Sequence, residues 1–162
     1  MTTYQFIPGK HFARPFTIRR PHSKFTFKIG GDTYYDTLPP GCEGDWNKLG
    51  YYFSGLHPHI GNSVTLVWKW EDRGWGRRLF LGWYGWQESK SPTITRHWSK
   101  GVEIEPDKFY HVKFNFDGYV TITIDGVQWE TTLKCRPWLM SGPYFGGQEV
   151  SPNSGKITIN YT

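Results

Sequence analysis

The chain has 162 residues, a formal net charge of +5, 19 glycines, 11 prolines and an aromatic content of 19%. That length suits one domain with a sizeable core, and punctuation of this density excludes helix bundles and coiled coils; no run approaches membrane-spanning length. The basic residues Arg14, Arg19, Arg20, Lys24, Lys28, Arg77, Arg78, Lys134 and Arg136 are scattered with no block of like charge, so the charge reads mainly as solubility, with attraction to an acidic ligand such as nucleic acid or acidic polysaccharide as the alternative.

The opening MTTYQFIPGKHF lacks the apolar core of a secretory signal, which predicts a soluble chain not exported by the usual route. Residues 1–10 read as an N-terminal arm or a first strand (TYQFI) ending at Pro8-Gly9. FTIRR and KFTFKIG then alternate, with Phe25, Phe27 and Ile29 on one side and Lys24, Thr26 and Lys28 on the other, the pattern of a half-buried strand with a solvated basic face. The stretch GGDTYYDTLPPGCEGD is a long Gly/Pro/Asp-rich loop, and loops of that length are uncommon unless functional. NKLGYYFSG resumes the strand pattern, a strand containing Leu49, Tyr51 and Phe53, and it breaks at GLHPHIGNS. Cys42 and Cys135 are too few for a disulfide framework and too far apart for a metal clip, which leaves a bridge or two thiols open.

The centre of the sequence is Val64–Gln87, VTLVWKWEDRGWGRRLFLGWYGWQ, with five of the nine tryptophans. It reads as two strands joined by the charged, glycine-bearing tip EDRGWGRR. Val64, Leu66, Trp68 and Trp70 share one face of the first strand. Leu79, Leu81 and Trp83 share a face of the second, and Phe80, Tyr84 and Trp86 point the other way around Gly82 and Gly85. Bulky residues on both faces suit a sheet packed on one side and used on the other. A further strand is predicted around Thr93 to Trp98, followed by FYHVKFNFDG, YVTITIDG and VQWETTL joined at Asp117-Gly118 and Asp125-Gly126, then PYFGG and GKITINYT. About ten strands with regular turns and no internal repeat predict one all-β domain, a two-sheet antiparallel sandwich or jelly roll over residues 1–162.

FYHVKFNFDGYVTITIDGV resembles the hairpin of concanavalin A-like, laminin-G-type jelly rolls, and GPYFGGQEVSPNSGKITINY is similar to their terminal strand pair. DWNKLGYYFSG, VTLVWKWE and RRLFLGWYGW resemble the concave-sheet strands of the polysaccharide-binding and polysaccharide-cleaving members, so the resemblance covers about residues 45 to 162. It implies a jelly-roll fold. The superfamily holds lectins, carbohydrate-binding modules, glycanases, polysaccharide lyases and virion surface domains, and fold alone does not choose between them.

Catalysis finds little support. The glycanase E-x-D-x-x-E run is absent; Glu103 and Glu105 share a face just before a turn, and Glu71, Asp72 and Glu88 stand singly around the hairpin. The R-x-E-x-R and Q-I-H motifs of lyases are missing, although Tyr84, His97, Arg77 and Gln87 offer the residue types. His57-Pro58-His59 would need a further metal ligand such as His97, Asp45 or Asp32. The Asp32 to Asp45 loop has oxygen donors for Ca²⁺ but no ordered D-x-D-x-D spacing. WKWEDRGWGRR interleaves bases and aromatics as a nucleic-acid surface would, without matching a nucleic-acid module.

Sugar fits best. Pyranose C–H faces stack on flat rings while hydroxyls need planar polar partners. Trp75, Tyr84, Trp86 and Trp98 are the predicted platform, and Arg77, Gln87 and Asn47 the predicted hydrogen-bonding partners, with the Asp32 to Asp45 loop and the hairpin tip as rim. Trp68 and Trp83 are assigned to the core, and Trp46, Trp129 and Trp138 receive no role. The expectation is non-catalytic glycan binding. The alternative is a structural or attachment protein of a virus particle, such as a bacteriophage capsid decoration or fibre domain at the virion surface, because a chain with its own Met and no export signal suits particle assembly.

Overall fold

The computed structural model describes residues 1–162 apart from 12, 16, 36–45, 55–61, 73, 89–93 and 145–150, and only the backbone of 51, 88, 94–96 and 98. Strands run β1 Thr2–Phe6, β2 Ile18–Arg19, β3 Lys24–Ile29, β4 Asn47–Phe53, β5 Ser63–Asp72, β6 Arg77–Glu88, β7 Ile94–Trp98, β8 Val102–Ile104, β9 Tyr110–Asn115, β10 Thr121–Ile124, β11 Val127–Glu130, β12 Leu139–Ser141 and β13 Gly155–Tyr161. The described residues contain no α-helix. Two antiparallel sheets pack face to face: a six-stranded sheet in the order β1-β13-β3-β9-β10-β11, and a seven-stranded sheet β2-β12-β4-β5-β6-β7 in which β8 also pairs with β6. The predicted all-β sandwich is the architecture found.

Alternation decides the inner faces. Phe25, Phe27 and Ile29 of β3 are buried, as are Val112 and Phe114 of β9, Ile122 and Ile124 of β10, and Ile157 and Ile159 of β13. They meet Val64, Leu66, Trp68 and Trp70 of β5 and Leu79, Leu81 and Trp83 of β6 in one core. Across the two sheets Phe6 meets Trp68 at 6.0 Å between ring centroids and Tyr52 meets Phe114 at 4.6 Å. Trp68 and Trp83 are core residues, as expected. The predicted turn at Asp125-Gly126 has both residues at positive φ, 45° and 86°, which is what a tight two-residue hairpin turn requires.

β4 departs from simple alternation. Its register against β5 shifts between Lys48 and Gly50, a bulge that puts Leu49 and Tyr52 in the core. Phe53 then stands opposite Ser63 on the outer side, so Leu49 and Phe53 serve opposite faces. The predicted PYFGG strand is represented by one bridge, Tyr144 with Lys48, and residues 145–150 lie outside the described ones.

Two buried acids and one partly buried link the core to alkaline stability. Burial pushes the Cys135 thiol from its ordinary 9.0 up to about 12. Burial also raises Tyr52, whose hydroxyl donates to the His22 carbonyl at 2.6 Å, and Tyr161 well above the ordinary phenol value of 10.0. A folded-state pKa above the unfolded one means that the unfolded chain gives up the proton first. Stability is therefore whole below the unfolded values and lost as pH climbs through the folded ones. The urea midpoint is expected to hold up to about pH 9 and then fall steeply toward pH 12; a flat profile across that window would contradict the burial of these groups.

Candidate ligand-binding face

The outer face of the seven-stranded sheet is built by register. Ser63 pairs with Trp86, Thr65 with Tyr84, Val67 with Gly82 and Lys69 with Phe80, all on the side away from the core. Ser63, Thr65, Val67 and Phe80 are buried there, whereas Tyr84 and Trp86 are half-exposed. The Tyr84 and Trp86 rings stand edge to face, 5.9 Å apart at 82°. β7 continues the pattern, with Trp98 opposite Tyr84 and Arg96 opposite Trp86 in the register.

Trp46, which the sequence left without a role, joins this face. A Cβ built on Gly82 would lie 3.4 Å from the edge of the Trp46 ring, and one on Gly101 would lie 2.6 Å from it. The indole thus fills the space that two glycines leave open, and the Lys69 ammonium sits 4.8 Å from its centroid. Phe80, Trp46, Tyr84 and Trp86 form an aromatic stripe along β6 about 20 Å long, six residues at about 3.3 Å each. Gly82 within an aromatic strand was the signal in the sequence; its partner, from a strand two places away, was not visible.

The other predicted site residues are distributed differently. Trp75 is 90% exposed at the hairpin tip, where Gly74 and Gly76 take positive φ and Asp72 accepts the Gly74 amide hydrogen at 2.8 Å. Arg77 begins β6 nine residues from Trp86, so tip and stripe end are roughly 30 Å apart. Arg77 has the parity of the inner face and lies 6.0 Å over the buried Tyr35 ring. Asn47 stands opposite Trp68 and is 1% exposed, and Gln87 shares the inner parity of Leu81 and Trp83. The register therefore sends Arg77, Asn47 and Gln87 to the opposite side of the sheet from Tyr84 and Trp86. Arg78, one position on, is on the outer face and pairs with Glu103 at 3.8 Å.

The candidate catalytic and metal groups do not converge among the described residues. Tyr84 faces outward, whereas His97 pairs with Gly85 on the inner parity and shares a 3.0 Å hydrogen bond with Thr132. Glu103 is held by Arg78, Glu105 by Lys108 at 2.9 Å and Glu71 by Lys69 at 3.7 Å. Asp32 accepts the Lys156 amide hydrogen at 3.0 Å. Among the described residues no group of three or more His, Cys, Asp or Glu is placed to hold a metal ion. His57, His59, Asp45, Cys42 and most of the predicted rim loop lie outside the described residues; Cys135 is a buried free thiol whose Sγ lies 3.4 Å from the Asn62 carbonyl oxygen. Among the described residues no helix is long and apolar enough to cross a membrane.

No protein-family model matches the chain, and no curated protein matches it.

Proposed function

We propose that the protein binds a glycan, without cleaving it, along the outer aromatic stripe of the seven-stranded sheet. The observation that carries this reading is the Tyr84–Trp86 pair with Trp46 laid over Gly82: rings held at fixed angles on a rigid strand, on the side that the core does not use. Two-χ aromatics on a strand lose little entropy when a sugar ring stacks on them. Lys69 and Arg78 supply polar groups at the stripe, where they also pair with Glu71 and Glu103.

A glycan array tests this, run beside a Tyr84→Ala/Trp86→Ala variant whose fold is checked by circular dichroism. Selective binding that drops at least about tenfold in the variant is the expected result, the loss of a contact of about 1.4 kcal/mol. Silence from both proteins overturns the reading.

Trp75 favours a second reading, assembly into a larger particle. An indole 90% exposed at the hairpin tip, about 30 Å from the Trp86 end of the stripe, shares no short sugar site with the Tyr84–Trp86 pair, and a protein partner would cover it. Solution mass measurement separates the two: a stable oligomer that dissociates on Trp75→Ala supports assembly, and a monomer supports the glycan reading.

A further inference from the structure

The basic residues that are scattered in the sequence converge on the outer face of the six-stranded sheet. Lys24 of β3 stands directly opposite Lys113 of β9. Lys28 lies four residues along β3 and pairs with Thr158 of β13. Lys156, two positions before Thr158, pairs with Gln5 of β1, and Gln5 is bridged in turn by Arg14. Strand spacing of about 4.8 Å and a rise of about 3.3 Å per residue turn this register into a diagonal band of five cations roughly 25–30 Å long. Lys24, Lys113, Lys156 and Arg14 are exposed, and Lys28 is half-exposed over the Phe109 ring at 5.3 Å.

The band is not explained by the fold. Two lysines directly opposite on one sheet face repel each other and weaken the pairing. Among the described residues none of the five cations has an ion-pair partner. The nearby carboxylates are turned to the backbone: Asp125 accepts the His111 amide hydrogen at 2.8 Å and Asp32 that of Lys156 at 3.0 Å. Glu130 is on β11, two strands from β9. Unpaired like charges in a line lower their energy when a polymeric anion lies across them and releases its counterions.

We infer that this face binds an acidic polysaccharide, with Lys24, Lys113, Lys28, Lys156 and Arg14 meeting successive sulfate or carboxylate groups. Between the cations stand the part-exposed Thr26 and Asn160, a hydroxyl and an amide that suit sugar hydroxyls. Single-stranded nucleic acid would call for a row of open aromatic rings on which bases stack, whereas Thr26 and Asn160 stand between these cations. A flat six-stranded sheet is also too broad for the DNA major groove. This surface belongs to the other sheet from the aromatic stripe, and it stands or falls independently of the glycan reading.

The test is binding of the full chain to heparin, measured by calorimetry across a salt series. The comparison variants are Lys24→Glu/Lys113→Glu on the face and Lys134→Glu/Arg136→Glu elsewhere, with folds checked by circular dichroism. The expected result is binding that weakens steeply with salt, falls at least about tenfold in the face variant and holds in the control. The inference is overturned by absence of heparin binding, or by equal losses in the two variants. Tighter binding to oligothymidylate or to phosphatidylserine vesicles at the same salt also overturns it, and would assign the face to nucleic acid or to a membrane surface.

Discussion

Trp68→Ala is expected to lower the unfolding free energy by about 3–5 kcal/mol, enough to consume much of the roughly 5–15 kcal/mol that a domain has. Trp68 is fully buried, flanked in register by Asn47 of β4 and Leu81 of β6, and it faces Phe6 of the opposite sheet. Its indole therefore spans the gap between the sheets where β-strand backbones on both sides are pinned by hydrogen bonds. Alanine leaves a void that neither sheet can collapse into without breaking register, so transfer and cavity costs add. Urea unfolding reads the effect as a lower midpoint at unchanged slope. Trp75→Ala is the contrast: the same deletion at a side chain 90% exposed is expected to stay within about 0.5 kcal/mol. Similar losses for both would mean that the hairpin is not inserted as described.

The second large effect is expected at a residue with no side chain. Gly50 has φ 141°, a conformation L side chains rarely adopt, and a Cβ there would collide with the Ser141 carbonyl oxygen. That oxygen is backbone of β12, whose Leu139 and Met140 pair with Phe53 and Tyr52 of β4, so it has nowhere to move. The Gly50 carbonyl is also fixed, accepting the Thr65 hydroxyl at 2.5 Å. Gly50→Ala is expected to cost about 1–3 kcal/mol in backbone strain and about 1–3 kcal/mol more in overpacking. Thermal unfolding of the variant measures it. A neutral substitution would mean that the bulge is not there. Loss of the bulge would also slide Leu49 out of the core and Trp46 off Gly82, coupling fold stability to the aromatic stripe.

The two glycines inside β6 illustrate how much of this was legible. Gly82 and Gly85 mark close approaches, which an aromatic strand interrupted by glycine announces by itself. What approaches was not legible. Trp46 lies against Gly82 on the outer face, and the Leu133 side chain occupies the space beside Gly85 on the inner one. Both partners come from segments far away in the chain. The placement of Arg77, Gln87 and Asn47 has the same origin: each has suitable chemistry, but sheet parity, not composition, decides which side of the sheet a residue serves.

The sequence by itself determined the all-β class, the inner face of β3 and the tight turn at Asp125-Gly126. The reason is that a period of two and a positive φ are local properties, complete within a few residues. Only the tertiary structure decided where β4 bulged, that Arg77, Gln87 and Asn47 would lie on the inner side of their sheet, and that lysines at 24, 28, 113 and 156 would share one surface with Arg14. Those outcomes depend on hydrogen-bond register between strands as many as 155 residues apart, as in the Thr3–Thr158 contact of β1 with β13, and register is a property of the pair rather than of either strand.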